Sequence, residues 1–298
     1  MNRNKCLICK SKNFVVELIN LQFSNYYINK FLSSYYSINA YKKIKIELNN
    51  FYYKILKCNN CHFIWQKHIP KEIFMKNLYE KFIDKKKSLQ KSIDKHKRSK
   101  LIDQIQIDQI IYLLGKSRKI KVLDYGAGWG HWGINVQSKN IDITCLEYSK
   151  SRINYIKKLK LKTLKLKNSN QKFDFIRCEQ VLEHLTDLND VIKSLFSMLN
   201  KKGIIYISVP NGNKIINSEK FSNEFIKKGP VQPLEHLNCF NNFSLNKILE
   251  INRFKKISII KLIIAKLYSN KLSFKKIKSI LKDIYNYYYG TALLYYKD

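Results

Sequence analysis

At 298 residues, with 45% hydrophobic and 13% aromatic residues, the chain holds enough apolar material for one large domain with a small one attached, which excludes a bare repeat and a disordered tail. Lys+Arg 56 against Asp+Glu 22 gives a net charge of +34, yet only six of the cations are arginine: Arg3, Arg98, Arg118, Arg152, Arg177 and Arg253. Surfaces that grip phosphates and bases favour arginine for its forked donors, so the composition disfavours a nucleic-acid partner. The joint abundance of Lys, Ile, Asn, Tyr and Phe reads instead as A/T-rich codon usage. No stretch approaches the roughly 18 apolar residues of a spanning helix, and residues 1–10 lack the apolar run of a secretion signal, so a cytoplasmic protein is expected.

The chain reads in three parts, 1–70, 71–118 and 119–298. In the first, Cys6-x-x-Cys9 and Cys58-x-x-Cys61 are separated by 48 residues. A two-residue spacing lets both thiolates of a pair reach one ion at about 2.3 Å, and two such turns close a tetrahedron, so Cys6, Cys9, Cys58 and Cys61 are candidate ligands of a structural Zn2+. Apolar runs at 14–21, 52–56 and 63–65 fit the strands of a small ribbon. Residues 71–118 read as a helical, basic linker. Leu78, Tyr79 and Phe82 precede Lys85, Lys86, Lys87, Lys91, Lys95, Lys97, Arg98 and Lys100, and then Leu101, Ile102, Ile105, Ile110, Leu113 and Leu114 form an apolar stripe that ends at Gly115. The basic stretch reads as a solvated face, with a diphosphate group or a weak association with an acidic membrane surface as the functional alternatives.

In 119–298, apolar strands at 121–125, 141–147, 173–177 and 203–209 alternate with helices. One helix is capped by Asp187 and turns Leu188, Val191, Ile192, Leu195 and Leu199 inward. Such alternation predicts an α/β fold, a parallel sheet covered on both faces with ligands at the carboxyl ends of its strands. Residues 257–267 read as a further strand, 273–289 as an amphipathic helix and 291–296 as the last strand.

The first of these strands runs into Gly126-Ala127-Gly128-Trp129-Gly130, where glycines let the backbone approach a ligand and the next helix offers its amino end. Gly128-x-Gly130-x-x-Gly133 also satisfies the dinucleotide fingerprint, which makes a nicotinamide enzyme the competing reading. Against it stands Asp124, an acid at the strand end where it can hold a cationic ligand, while Glu147 at the end of the next strand is placed to accept two ribose hydroxyls. An acid for a cationic amino-acid moiety plus an acid for a ribose describes S-adenosylmethionine.

The run from Val122 through Gly130, with Cys145-Leu146-Glu147-Tyr148-Ser149 and Cys178-Glu179-Gln180-Val181-Leu182-Glu183-His184, resembles the class I S-adenosylmethionine-dependent methyltransferases. The resemblance implies a Rossmann-like seven-stranded sheet with a reversed last strand, a methyltransferase activity, and a cofactor site at Asp124, Gly126, Gly128, Glu147, Tyr148, Glu179 and Gln180. The two cysteine pairs resemble the zinc-binding domain fused to methyltransferases that act on sugars, including nucleotide-sugar C-methyltransferases. Leu78-Tyr79-Glu80, Ser88 and His96 resemble their substrate-facing linker, and Leu234-Glu235-His236 their Glu-His segment. Pro233 stands where that family places a tyrosine, so a sugar O-methyltransferase fits as well as a C-methyltransferase.

The implied partner is a sugar or nucleotide-sugar whose hydroxyl needs a base. His236 is favoured for that role, with Glu235 to orient it, His184 as second candidate and Tyr79 as a weaker one; for each, bracing a loop or a core is the structural alternative. A methyltransferase acting on RNA and a noncatalytic binding module on the same fold are the competing functions.

Overall fold

The structure, a computed structural model, describes residues 2–115, 119–165, 170–216, 223–268 and 274–297; Arg118 and Ser273 lie outside them. In chain order the elements are β1 (Val15–Gln22), α1 (Tyr26–Tyr35), α2 (Ile38–Glu47), β2 (Tyr52–Cys58), β3 (Ile64–Gln66), α3 (Glu72–Asn77), α4 (Lys85–Leu114), β4 (Ile120–Tyr125), α5 (His131–Val136), β5 (Ile141–Leu146) and α6 (Lys150–Lys158). They continue with β6 (Lys162–Thr163), β7 (Phe173–Glu179), α7 (Leu188–Met198), β8 (Leu199–Ser208), α8 (Asn213–Ile216), β9 (Asn238–Cys239), α9 (Asn242–Ile251), β10 (Phe254–Lys256), α10 (Ile259–Leu267), α11 (Phe274–Tyr288) and β11 (Ala292–Lys297). Contacts group the chain into two units: Met1–Ser88 with Leu182–Asn189 and Val209–Ile248, and Leu89–Val181 with Asp190–Ser208 and Leu249–Asp298.

The first unit is built on a four-stranded sheet in the order β1-β2-β3-β9. β1 and β2 pair antiparallel with Val15 opposite Cys58, and β3 pairs with β9 through Ile64 opposite Cys239. Between β1 and β2 the chain forms α1 and α2, which sequence patterning did not resolve. Asn25 caps the first by accepting from Tyr27 N, and Ser37 caps the second by accepting from Ala40 N. Their inner residues Ile28, Leu32 and Ile44 pack with Tyr53, Ile55, Leu78, Leu234 and Leu237 in one core.

The boundaries drawn at 70 and 118 therefore differ from how the chain packs. Strand β3 finds its outer neighbour in β9, far along the chain. Buried Arg3 ties the beginning of the chain to the same segment, donating to Gln66 O at 2.9 Å and to Asn238 Oδ1 at 2.8 Å.

The second unit carries a seven-stranded sheet in the order β10-β11-β8-β7-β4-β5-β6. The five strands β4 to β8 run parallel, while β11 is antiparallel to β8 and to β10. Val122, Ile143, Phe175, Ile204 and Leu294 are buried on it, as are Leu123, Ile176, Ile205 and Leu293, so the central strands read as near-continuous apolar runs. Strand order reverses at β4, which opens a crevice at the carboxyl ends of β4 and its neighbours.

The 30-residue α4 begins where Asp84 accepts from Lys87 N and ends at Gly115, whose φ of +56° suits the left-handed position after a helix. Residues 257–267, read from sequence as a strand, are mostly helix: only Phe254–Lys256 pairs in the sheet, and α10 follows. There Leu262, Ala265 and Lys266 are buried while Ile260 and Ile264 are exposed, a spacing of three to four rather than two. No helix among the described residues is long and apolar enough to cross a membrane.

Candidate active site

β4 ends at Asp124-Tyr125, and the chain then turns through Gly126 (φ +75°), Gly128 (φ +57°) and Gly130 (φ +77°) into α5. A Cβ on Gly126 would run into the Val181 side chain, whereas one on Gly128 would stand in open space, leaving room for a ligand against the backbone. Glu147, directly after β5, closes this loop. Its Oε2 accepts from Gly128 N at 2.9 Å and its Oε1 from Tyr148 N at 2.8 Å and Ser149 N at 3.0 Å. Arg152 approaches the same carboxylate at 3.6 Å.

Asp124 is fully buried. Its Oδ1 accepts from Arg177 Nη1 at 3.1 Å, and its Oδ2 has no hydrogen-bond partner among the described residues. Burial raises its pKa and the neighbouring Arg177 opposes that rise. The guanidinium of Arg177 also pairs with Glu179, which Lys95 holds from α4 at 2.8 Å, and it lies 4.8 Å over the Trp132 ring. Burial pushes the Glu179 carboxyl up, but Arg177 and Lys95 prevail and hold it at about 2. Tyr148 is exposed, and Gln180 takes a left-handed φ of +56° while its N donates to Ser208 O.

Sequence reasoning missed how α4 reaches this loop. Ser92 Oγ lies 2.7 Å from His131 Nδ1, His96 Nδ1 lies 3.2 Å from His131 O, and Asp103 accepts from Asn135 Nδ2 at 2.6 Å. The signal was a polar stripe, Ser92, His96, Ser99 and Asp103, at helical spacing inside what read as a solvated basic face.

In the first unit the turn Leu182–His184 brings further candidates together. His184 Nδ1 lies 2.7 Å from Glu235 O and 3.1 Å from Tyr79 Oη, and its ring stands 4.9 Å from that of His236. Ligand atoms of Glu183, His184 and His236 all fall within 4.8 Å of one another. Burial, aided by His184, lowers the His236 imidazole to about 3. The carboxylate of Glu235 accepts from Tyr36 Oη at 2.7 Å. Tyr36 directly follows α1, the helix not resolved from sequence, so its approach to Glu235 was not legible.

The four thiols of Cys6, Cys9, Cys58 and Cys61 converge within 4.8 Å of one another, with Cys6 and Cys61 at 3.3 Å and Cys9 and Cys58 at 3.5 Å. None is in a disulfide. Cys145, Cys178 and Cys239 are buried singly elsewhere.

The sequence family described as a methyltransferase domain matches residues 95–259, more than half of the chain. The chain belongs to the methyltransferase-domain family. The seven-stranded sheet with its antiparallel β11 and the glycine loop after β4 agree with the S-adenosylmethionine-dependent class of that domain. The ubiquinone biosynthesis O-methyltransferase of Pelagibacter ubique is 27% identical over 106 residues, covering 32% of this chain and 43% of that protein. The mitochondrial ubiquinone biosynthesis O-methyltransferase of Saccharomyces cerevisiae is 28% identical over 116 residues, covering 34% and 37%. The chain thus spans less than half the length of these curated relatives. The solved structure of the plantazolicin methyltransferase BamL, in complex with a triazolic desmethylPZN analog and SAH, superposes on this chain with a TM-score of 0.52 at 15% identity. It covers 76% of this chain and 94% of that one, a likeness of fold.

Proposed function

We propose that the chain transfers a methyl group from S-adenosylmethionine to a hydroxyl oxygen of a sugar or nucleotide-sugar, on a framework braced by one zinc ion. The observation that carries the reading is the left-handed glycine loop closed by Glu147, with open space at Gly128. Glu147 would hold the ribose hydroxyls, and the buried Asp124 Oδ2 remains an acceptor for the cofactor's amino group. Gly126 and Gly128 admit the ligand, with Tyr148, Glu179 and Gln180 around it. The bound cofactor supplies an electrophilic methyl on a sulfonium, so the protein's task is to orient the acceptor and remove its proton.

His184 suits proton removal better than His236, the residue that sequence favours. Its Nδ1–H donates to Glu235 O, which leaves Nε2 as the basic nitrogen, and the Glu183 carboxylate 3.8 Å away stabilises the imidazolium formed when that nitrogen takes a proton. His236, lowered to about 3, is the poorer base. Tyr79, Tyr36 and Glu235 offer phenol and carboxylate groups of the kind that bind polyols. Four thiolates at about 2.3 Å from a common ion stand roughly 3.8 Å apart, close to the spacings here, so Cys6, Cys9, Cys58 and Cys61 suit Zn2+.

The test is incubation with isotope-labelled methyl donor and a panel of nucleotide-sugars and phenols, read by mass. Methylation of a sugar that H184Q abolishes and H236Q only slows is the expected result. Label on a phenol alone would replace the sugar and keep the chemistry; label on RNA alone would overturn both.

A further inference from the structure

Helices α10 and α11 form a hairpin whose inner side is fully accounted for. Leu262, Ala265 and Lys266 of α10 are buried. Lys266 Nζ pairs with Asp283 at 2.6 Å, Lys276 Nζ donates to Leu267 O at 3.0 Å, and Gln109 of α4 donates to both Asp283 and Leu262 O. The outer side is apolar without serving that packing. On α11, Ile277, Leu281, Tyr285 and Tyr288 recur at intervals of three and four and are each more than half exposed. On α10, Ile260, Ile264 and Leu267 are 45–67% exposed, again at helical spacing. Solvent-facing apolar stripes on two packed helices mark an interaction surface rather than a scatter of single residues.

Charge identifies the occupant. Exposed Lys261 sits on α10, and Lys275, Lys278 and Lys282 lie along one edge of the α11 stripe. Among described residues 257–297 the only carboxylate is Asp283, which is turned inward onto Lys266 and Gln109. A second copy of this chain would bring like-charged lysine edges together on a protein already at +34, so self-association is opposed. Tyrosines and branched aliphatics beside lysine are instead the residues of an interfacial helix, whose apolar face enters the acyl boundary while ammonium groups meet phosphates. We propose that the α10–α11 hairpin is a peripheral docking surface for an anionic lipid bilayer. The inference holds whatever the methyl acceptor is.

Flotation of the full chain with vesicles tests it, using phosphatidylcholine alone and phosphatidylcholine mixed with phosphatidylglycerol. The chain is expected to float with the mixed vesicles and to remain behind with the neutral ones. L281E/Y285E removes apolar insertion and K261E/K275E reverses two charges; each should lower binding about tenfold or more. All four positions are exposed, so both variants should keep the parent circular dichroism and donor-nucleotide affinity. Loss of donor binding in the parent chain would strike the enzymatic reading and leave flotation untouched. Equal binding to neutral vesicles, variants that bind like the parent, or absence of flotation would each overturn the proposal, and a dimer that L281E/Y285E dissolves would give the face to a second copy instead.

Discussion

Three backbone N–H groups converge on the Glu147 carboxylate, from Gly128, Tyr148 and Ser149, so one side chain shapes the glycine loop and, in the proposed reading, also holds the ribose. Replacing it with alanine removes hydrogen bonds to a charged group, about 2 kcal/mol or more. Titration calorimetry should show the affinity of E147A for the methyl donor lower by roughly 30-fold. His236 makes a separate prediction. Its folded pKa of about 3 lies below the ordinary 6.5, so protonation favours the unfolded chain. The stability that its neutral form supports is complete above pH 6.5 and is lost as the pH falls from there toward 3. In urea titrations across that window the parent chain should lose stability more steeply than H236Q, whose side chain does not titrate; parallel slopes would contradict the burial argument.

Among the elements, those with both faces covered were the most legible. β4, β5, β7 and β8 are apolar runs because helices cover the sheet on each side, and Gly126 to Gly130 could be placed because the loop needs left-handed residues. α10 was misread for the same reason the strands were found: a short apolar run with β-branched residues has no clear period, and only Ser258 at its cap position spoke for a helix. The caps of α1 and α2, Asn25 and Ser37, were present in the sequence, but the cysteine spacing drew the reading toward a ribbon. Tyr36 and Glu235, 199 positions apart, meet through tertiary packing, which no local pattern encodes. The hairpin of β2 and β3 carries Cys58 and Cys61 at its turn, and its pairing with β1 places Val15 opposite Cys58. Metal analysis should find about one zinc per chain, C58S should lose it, and the loss should cost several kcal/mol in urea unfolding because an ion held only by the folded state stabilises that state.

At the scale of the whole molecule, the chain leaves its first unit, builds most of the second, and returns twice. The first unit, as the contacts group it, draws on Met1–Ser88, Leu182–Asn189 and Val209–Ile248 rather than on residues 1–70 or 1–118 alone. Strand β3 has β9 as its outer neighbour, and the core around Ile28, Ile44 and Tyr53 includes Ile215, Ile226, Val231, Leu234 and Leu237. Each buried aliphatic side chain contributes about 1.5–3 kcal/mol, so a fragment of residues 1–118 forgoes about 10 kcal/mol from these five. That equals the whole stability of an ordinary domain, about 5–15 kcal/mol. It also exposes the edge of β3 with buried Ile64 and Trp65 on it, an invitation to aggregate. With zinc supplied, the fragment should still lack a cooperative urea transition and dispersed amide resonances, whereas the full chain should show both. A sharp transition in the fragment would mean that the cysteine site and the two early helices suffice, and that the returning segments are decoration on a domain already folded.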